Sequence, residues 1–303
     1  MEKNVPNFLI CGAAAGGTSF LSAGMMNHPE IYLPKKMRPE PHYFYKSWEY
    51  EKPFSYYLET YFKDVKTEKA IGERSSSYMF GPDVAQRTHK HLPNIKLIFM
   101  LRNPIERAWG NYRYTVIEGL EELSFLEVLE KEEERIKAQT GIWAEIQPHN
   151  YTGRGLYYKM LSKFLEYFPK EQMLMLKSEL FGKNLQEDFK KVFRFLEVNE
   201  NHTVVMPPSF TSLSVKDRKL QVELRKYFQN RFDFFVEATR REEDPIQYLE
   251  KNEDLKMFHQ LKSNIKTEKE SMPEDCRKYL QDFFRKDMEQ LKTIIDFSIE
   301  DWK

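Results

Sequence analysis

Short apolar runs that alternate with stretches of helical periodicity predict an α/β protein: a central parallel sheet flanked by helices, with a helical C-terminal part. Phe8-Leu9-Ile10-Cys11, Ile31-Tyr32-Leu33, Ile95 to Leu101 and Met173 to Leu176 are continuously apolar and too short for buried helices, as strands covered on both faces are. Helical segments separate them and polar loops follow them, the order of parallel crossover units. One domain over residues 1–303 is expected, with a charged helical insertion at about 230–275.

The first run leads into Gly12-Ala13-Ala14-Ala15-Gly16-Gly17-Thr18-Ser19, after which Phe20, Leu21 and Met25 take helical spacing. Such a turn leaves backbone N–H groups free at a helix N-terminus, where orphan donors and the macrodipole together favour an anion. Gly16 and Gly17 let the backbone approach a ligand, and the Thr18 and Ser19 hydroxyls add donors. A phosphate or sulfate is the expected guest, which makes the sheet P-loop-like. The nucleotide signature G-x-x-x-x-G-K-[ST] is nevertheless not met, because Thr18 stands where its Lys should be.

The first helix should stop near Asn27-His28-Pro29. Three prolines make residues 34–44 an extended, basic loop that carries Glu40 and His42. Phe54, Tyr57, Tyr61 and Phe62 form a helical stripe expected in the core. Ala70 to Tyr78 reads as a strand entering a polar turn, 82–91 as a helix, and Ile95 to Leu101 as the clearest strand. Arg102 follows at once, then Asn103-Pro104, with Pro suited to a first helical turn. Residues 118–137 are charged and amphipathic, with Leu123, Leu126, Val128 and Leu129 as apolar positions. Gly153-Arg154-Gly155 precedes a helix with Met160, Leu161 and Phe164 in phase; a helix over 185–196 follows the 173–176 strand. Residues 207–219 are loop-like and carry Lys216 and Arg218, and everything beyond looks helical.

The 47 basic and 47 acidic residues balance, which argues against a nucleic-acid coat or a polybasic membrane binder. With 23 Phe and 17 Tyr the chain has ample material for a core. Cys11 and Cys276 support neither a disulfide framework nor a cysteine zinc site. No charged and apolar leader stands at the start, and no run approaches the ~18 apolar residues of a spanning helix. A soluble cytoplasmic protein is expected, its oligomeric state open.

Taken in order, several motifs resemble the sulfotransferases that use 3′-phosphoadenosine 5′-phosphosulfate (PAPS), most closely their bacterial and glycan-type members. They are the loop Gly12 to Ser19, Glu40-Pro41-His42-Tyr43-Phe44, Gly72-Glu73-Arg74-Ser75-Ser76-Ser77-Tyr78, Leu101-Arg102-Asn103-Pro104-Ile105-Glu106-Arg107-Ala108, Arg154-Gly155-Leu156-Tyr157 and the final Ile299-Glu300-Asp301-Trp302. The resemblance implies that Ala14 to Ser19 cradle the 5′-phosphosulfate and that Arg102 pairs with the 3′-phosphate, to which a guanidinium fork is well matched. Many members add a serine at the position of Gly110, and a basic loop at that of Lys216 and Arg218. It implies further that Glu40 is the general base for an acceptor hydroxyl or amine, that His42 orients it or acts with it, and that Arg74 faces the transferring group or the acceptor. The acceptor would be a small molecule or a saccharide, and the aromatic residues Tyr43, Phe44, Tyr45 and Trp48 are expected to floor its pocket; the reaction would leave the bisphosphate PAP and need no metal.

Ala15 departs from the family pattern, which has a lysine there at the leaving oxygen of the sulfuryl group. Three readings stand: an engineered inactive variant, favoured by the intact motif set; a natural member that uses Arg74, Lys35 or Lys36 instead; and a donor-binding pseudoenzyme. A P-loop phosphotransferase is the alternative of another class, weakened by Arg102 where a magnesium-binding Asp would stand.

Overall fold

The computed structural model describes residues 4–34, 40–206, 213–240, 252–268 and 270–302. Its contacts define two compact units: Met1–Arg107 with Thr152–Pro207 and Gln281–Lys303, and Ala108–Tyr151 with Pro208–Leu280.

The first unit holds a five-stranded parallel sheet of β1 (Phe8–Gly12), β2 (Ile31–Tyr32), β3 (Ala70–Arg74), β4 (Lys96–Leu101) and β5 (Met173–Lys177). The spatial order is β2-β3-β1-β4-β5, so β1 is central and the chain reverses direction across the sheet beside it. Ligands of open α/β sheets bind outside the carboxyl ends of the strands at such a reversal. All five residues of β1 are buried, as its unbroken apolar run requires.

Alternation along the strands sends side chains into two layers. Leu9, Cys11, Leu97, Phe99 and Leu101 pack with Tyr157, Leu161, Phe164 and Trp302. Phe8, Ile10, Ile98 and Met100 pack with Leu21, Met25, Phe189, Val192 and Phe193 on the other face. The Phe54–Tyr61 helix delivers Tyr57 to the first of these layers, where it stacks on Tyr43 with ring centroids 4.6 Å apart. Tyr43 and Phe44 are 1% and 0% exposed. These two rings are core, which corrects their expected place in a pocket floor: the apolar pull of Tyr57 and Phe54 draws them inward.

The second unit is mostly helical, with helices Phe125–Ala138, Arg218–Phe228, Phe232–Arg240 and Asn252–Asn264. Phe228, Phe235 and Phe258 form its buried aromatic seam, with centroids 4.5 and 5.7 Å apart along it. It also contains an antiparallel ladder that the helical periodicity does not announce: β6 (Ser214–Val215) pairs with β7 (Ile265–Lys266). Asn264 fixes it, since its amide donates to Asp217 O (2.8 Å) and its Oδ1 accepts from Asp217 N–H (2.8 Å). Among the described residues no helix is long and apolar enough to cross a membrane.

Candidate active site

The loop after β1 is built around two glycines. An added Cβ at Gly16 would lie 2.6 Å from Met100 O and 2.8 Å from Ala13 O, and Gly17 has φ of 103°, the left-handed region that suits glycine. Ala13 N–H donates to Met100 O (2.9 Å), which ties the loop to the end of β4. Helix α1 (Thr18–Met25) then begins; its Phe20 and Leu21 N–H groups donate to Gly17 O (3.0 and 3.2 Å), so the Thr18 and Ser19 N–H groups are the ones left facing outward from the helix start. Thr18 is buried and Ser19 exposed; Ala15 is exposed at φ 62°.

Arg102 follows β4, and its Nη1 donates to Ala15 O (3.3 Å). Its own carbonyl accepts from the Tyr157 hydroxyl (2.8 Å), and the next N–H, of Asn103, donates to Glu179 Oε1 (2.6 Å). The fully buried Arg107 reaches Ala14 O at 3.5 Å. The loop is therefore gripped at two carbonyls by guanidinium groups, and its Ala13 and Gly16 N–H groups are used within the fold (to Met100 O and Ala13 O, 2.9 Å each), which leaves the amides of Ala14, Ala15 and Gly17 as its donors for a ligand.

At the end of β3, three of the expected residues converge. Glu40 Oε2 accepts from the Ser76 backbone N–H and hydroxyl, each at 2.8 Å. Its Oε1 lies 3.2 Å from Arg74 Nη2, and the other arm of the guanidinium, Nη1, donates to the Ser19 hydroxyl. Arg74, 6% exposed at its side chain, thus links the anion loop to the carboxylate. Its alternative as a surface salt bridge is set aside by that burial.

His42 Nε2 is 3.2 Å from Glu40 Oε2. Burial, then the positive charges of Lys46, Arg154 and Arg74, push the imidazole down to about 3. At neutral pH the ring is therefore neutral and this close contact is not an ion pair. Its Nδ1 is buried without a hydrogen-bond partner among the described residues. The His42 backbone is left-handed (φ 51°), and its N–H donates to Ser75 Oγ (2.8 Å).

Below this cluster lies Glu73, fully buried, whose carboxylate collects the hydroxyls of Ser75 (2.9 Å), Tyr57 (3.1 Å) and Tyr78. Burial raises it to about 7 against the pull of those three hydrogen bonds, with the Glu40 charge adding to the rise. The chain His42 N–H to Ser75 hydroxyl to Glu73 ties the turn that carries Glu40 to the sheet. Sequence reasoning assigned Glu73, Ser76, Arg107 and Glu179 no role; an acidic side chain inside a strand run was the one signal for Glu73.

Gly110 lies in the helix Pro104–Ile117 and, like Lys216 and Arg218, belongs to the second unit. Lys216 Nζ donates to Ser263 O, and Arg218 Nη1 to the Tyr112 hydroxyl (2.6 Å) and Leu123 O (3.2 Å). Lys35 and Lys36 lie outside the described residues. Among the described residues no group of three or more His, Cys, Asp or Glu side chains is placed to hold a metal ion.

The loop after the central strand, with a carboxylate and a guanidinium at the neighbouring strand end, lies at the carboxyl ends of a P-loop-like sheet, where ligands of such sheets bind. The sulfotransferase domain family matches residues 5–292, and the chain belongs to the sulfotransferase family. A crystal structure of a sulfotransferase from Alicyclobacillus acidocaldarius is 26% identical, covers 98% of both chains and superposes with a TM-score of 0.70. Heparan sulfate glucosamine 3-O-sulfotransferase 3B1 of Mus musculus is 27% identical over 64% of this chain and 47% of its own. The membrane-associated sulfotransferase kil1 of Dictyostelium discoideum is 30% identical over 37% of this chain and 23% of its own. The matched stretches thus span less than half the length of these two relatives.

Proposed function

We propose that this chain transfers a sulfuryl group from PAPS to a hydroxyl or amine of a small-molecule or glycan acceptor. The observation that carries this reading is Arg74, whose guanidinium joins the Ser19 hydroxyl of the anion loop to Glu40. The loop amides and the Thr18 and Ser19 hydroxyls hold the 5′-phosphosulfate, and Arg102 takes the 3′-phosphate. The acceptor oxygen or nitrogen attacks sulfur in line; its bond to sulfur forms as the bridging S–O bond breaks. The proton passes to Glu40, and the leaving phosphate departs as PAP. The two Ser76 donors hold the carboxylate's orientation without consuming its charge, and the neutral His42 ring packs against it at 3.2 Å. Arg74 supplies positive charge that the family places on the lysine at position 15. Glycan acceptors draw support from the heparan sulfate relatives.

Incubation with PAPS and a panel of phenols, amines and heparan-derived saccharides should release PAP, and Glu40→Gln should lower the rate ~10²–10⁴-fold. Absence of calorimetric donor binding would overturn the assignment. Donor binding with no turnover by any acceptor, even in Ala15→Lys, would leave the donor-binding pseudoenzyme.

A further inference from the structure

The second unit contains a cavity of about 470 Å³, within the range of small-molecule sites. One wall is aromatic: Trp109 stacks on Tyr112 (centroids 5.3 Å, planes 21° apart), and Phe125 closes against both at 5.1 and 4.9 Å. Among the described residues the opposing charge comes from Arg113, Lys216, Arg218 and Lys266 against the lining carboxylate of Glu270, and Lys266 Nζ also lies 3.9 Å from Glu268 Oε2. The hydrogen bonds of Lys216 and Arg218 given above go to carbonyl and hydroxyl oxygens and not to carboxylates, although Arg218 feels the nearby charge of Glu127. The Ser214 hydroxyl also lines the cavity; it is 4% exposed and has no hydrogen-bond partner among the described residues. A buried hydroxyl without a partner carries a desolvation cost that a ligand acceptor would remove.

We propose that this cavity, whose described lining includes no residue of the loop after β1, binds a planar aromatic anion, a ring system bearing a carboxylate or sulfate. The ring stacks on the Trp109–Tyr112–Phe125 wall, and the acidic group meets Lys216, Lys266 and the Ser214 hydroxyl. A saccharide fits less well, because its many hydroxyls need a dense set of hydrogen-bond partners, whereas Val116, Ile117, Leu213, Val215 and Pro273 make much of the remaining lining apolar. Lys216 and Arg218, expected from the family resemblance beside the donor, are thereby assigned to this ligand.

The test is calorimetry on the full chain, with naphthalene sulfonate as probe and naphthol as its uncharged counterpart. The sulfonate should bind and the naphthol bind at least about tenfold more weakly, the worth of one charge-assisted hydrogen bond. Lys216→Gln, checked for native circular dichroism, should weaken the sulfonate by about tenfold and leave naphthol unchanged. Saturation with PAP should not displace the probe. No sulfonate binding, equal binding of the two probes, indifference to Lys216→Gln, or displacement by PAP would each overturn the proposal. Because no step needs turnover, the result is independent of whether the sulfuryl-transfer reading holds.

Discussion

Ala15 is exposed in a left-handed turn, so a longer side chain there meets no packing obstacle and changes little backbone strain. Ala15→Lys is therefore expected to fold normally and to raise turnover, by up to the ~10²–10³ that one donor at a developing charge is worth. Steady-state rates at saturating PAPS measure it, and an unchanged rate would show that Arg74 already suffices. Glu73 and His42 give the site opposite pH responses. Glu73 is raised from 4.5 to about 7, so the folded state binds the extra proton in that window and stability falls as pH rises through it. His42 is lowered from 6.5 to about 3, so stability falls as pH drops below the unfolded value. Glu73→Gln should flatten the first dependence, read as denaturation midpoints between about pH 5 and about pH 8, and leave the acid limb in place.

Among the elements, the strands were legible because buried parallel strands advertise themselves as unbroken apolar runs, and β1, β4 and β5 fall where those runs stand. The charged stretch 118–137 was less legible. Its helix starts only at Phe125, behind Ser124 and Glu127 in a reciprocal capping box, and Leu126, expected on the apolar side, is 38% exposed. The S-x-x-E spacing was the signal for that start. β6 and β7 are two residues each, too short to carry a period, and depend on Asn264 bonds that join residues 47 apart in sequence. The loop after β1 makes a sharper test. Gly16→Ala drives a methyl into two backbone carbonyls that cannot yield, and should cost ~1–3 kcal/mol in chemical denaturation while abolishing PAP binding by calorimetry.

At the scale of the molecule, the alternation of β1 and β4 divides the first unit's interior into two layers, one on each face of the sheet. Phe164 belongs to one and Phe193 to the other, both essentially unexposed. Each Phe→Ala change should cost ~3–5 kcal/mol, and the double variant should show their sum within about 0.5 kcal/mol in urea unfolding. Glu40, Arg74 and Arg102 were legible only as members of an ordered motif set, since each alone is an ordinary loop charge. Glu73 was not, because its three hydroxyl partners come from separate stretches of chain that only the folded sheet assembles.

The shared guanidinium of Arg74 makes Glu40 and the anion loop thermodynamically linked. A group that fills the loop competes with Glu40 for one cation, so the occupancy of either end is felt at the other, and reciprocally. Neutralising the carboxylate should then slow chemistry and tighten product at once. Glu40→Gln is expected to bind PAP more strongly than the unmodified chain, by about tenfold for roughly 1.4 kcal/mol of released charge interaction.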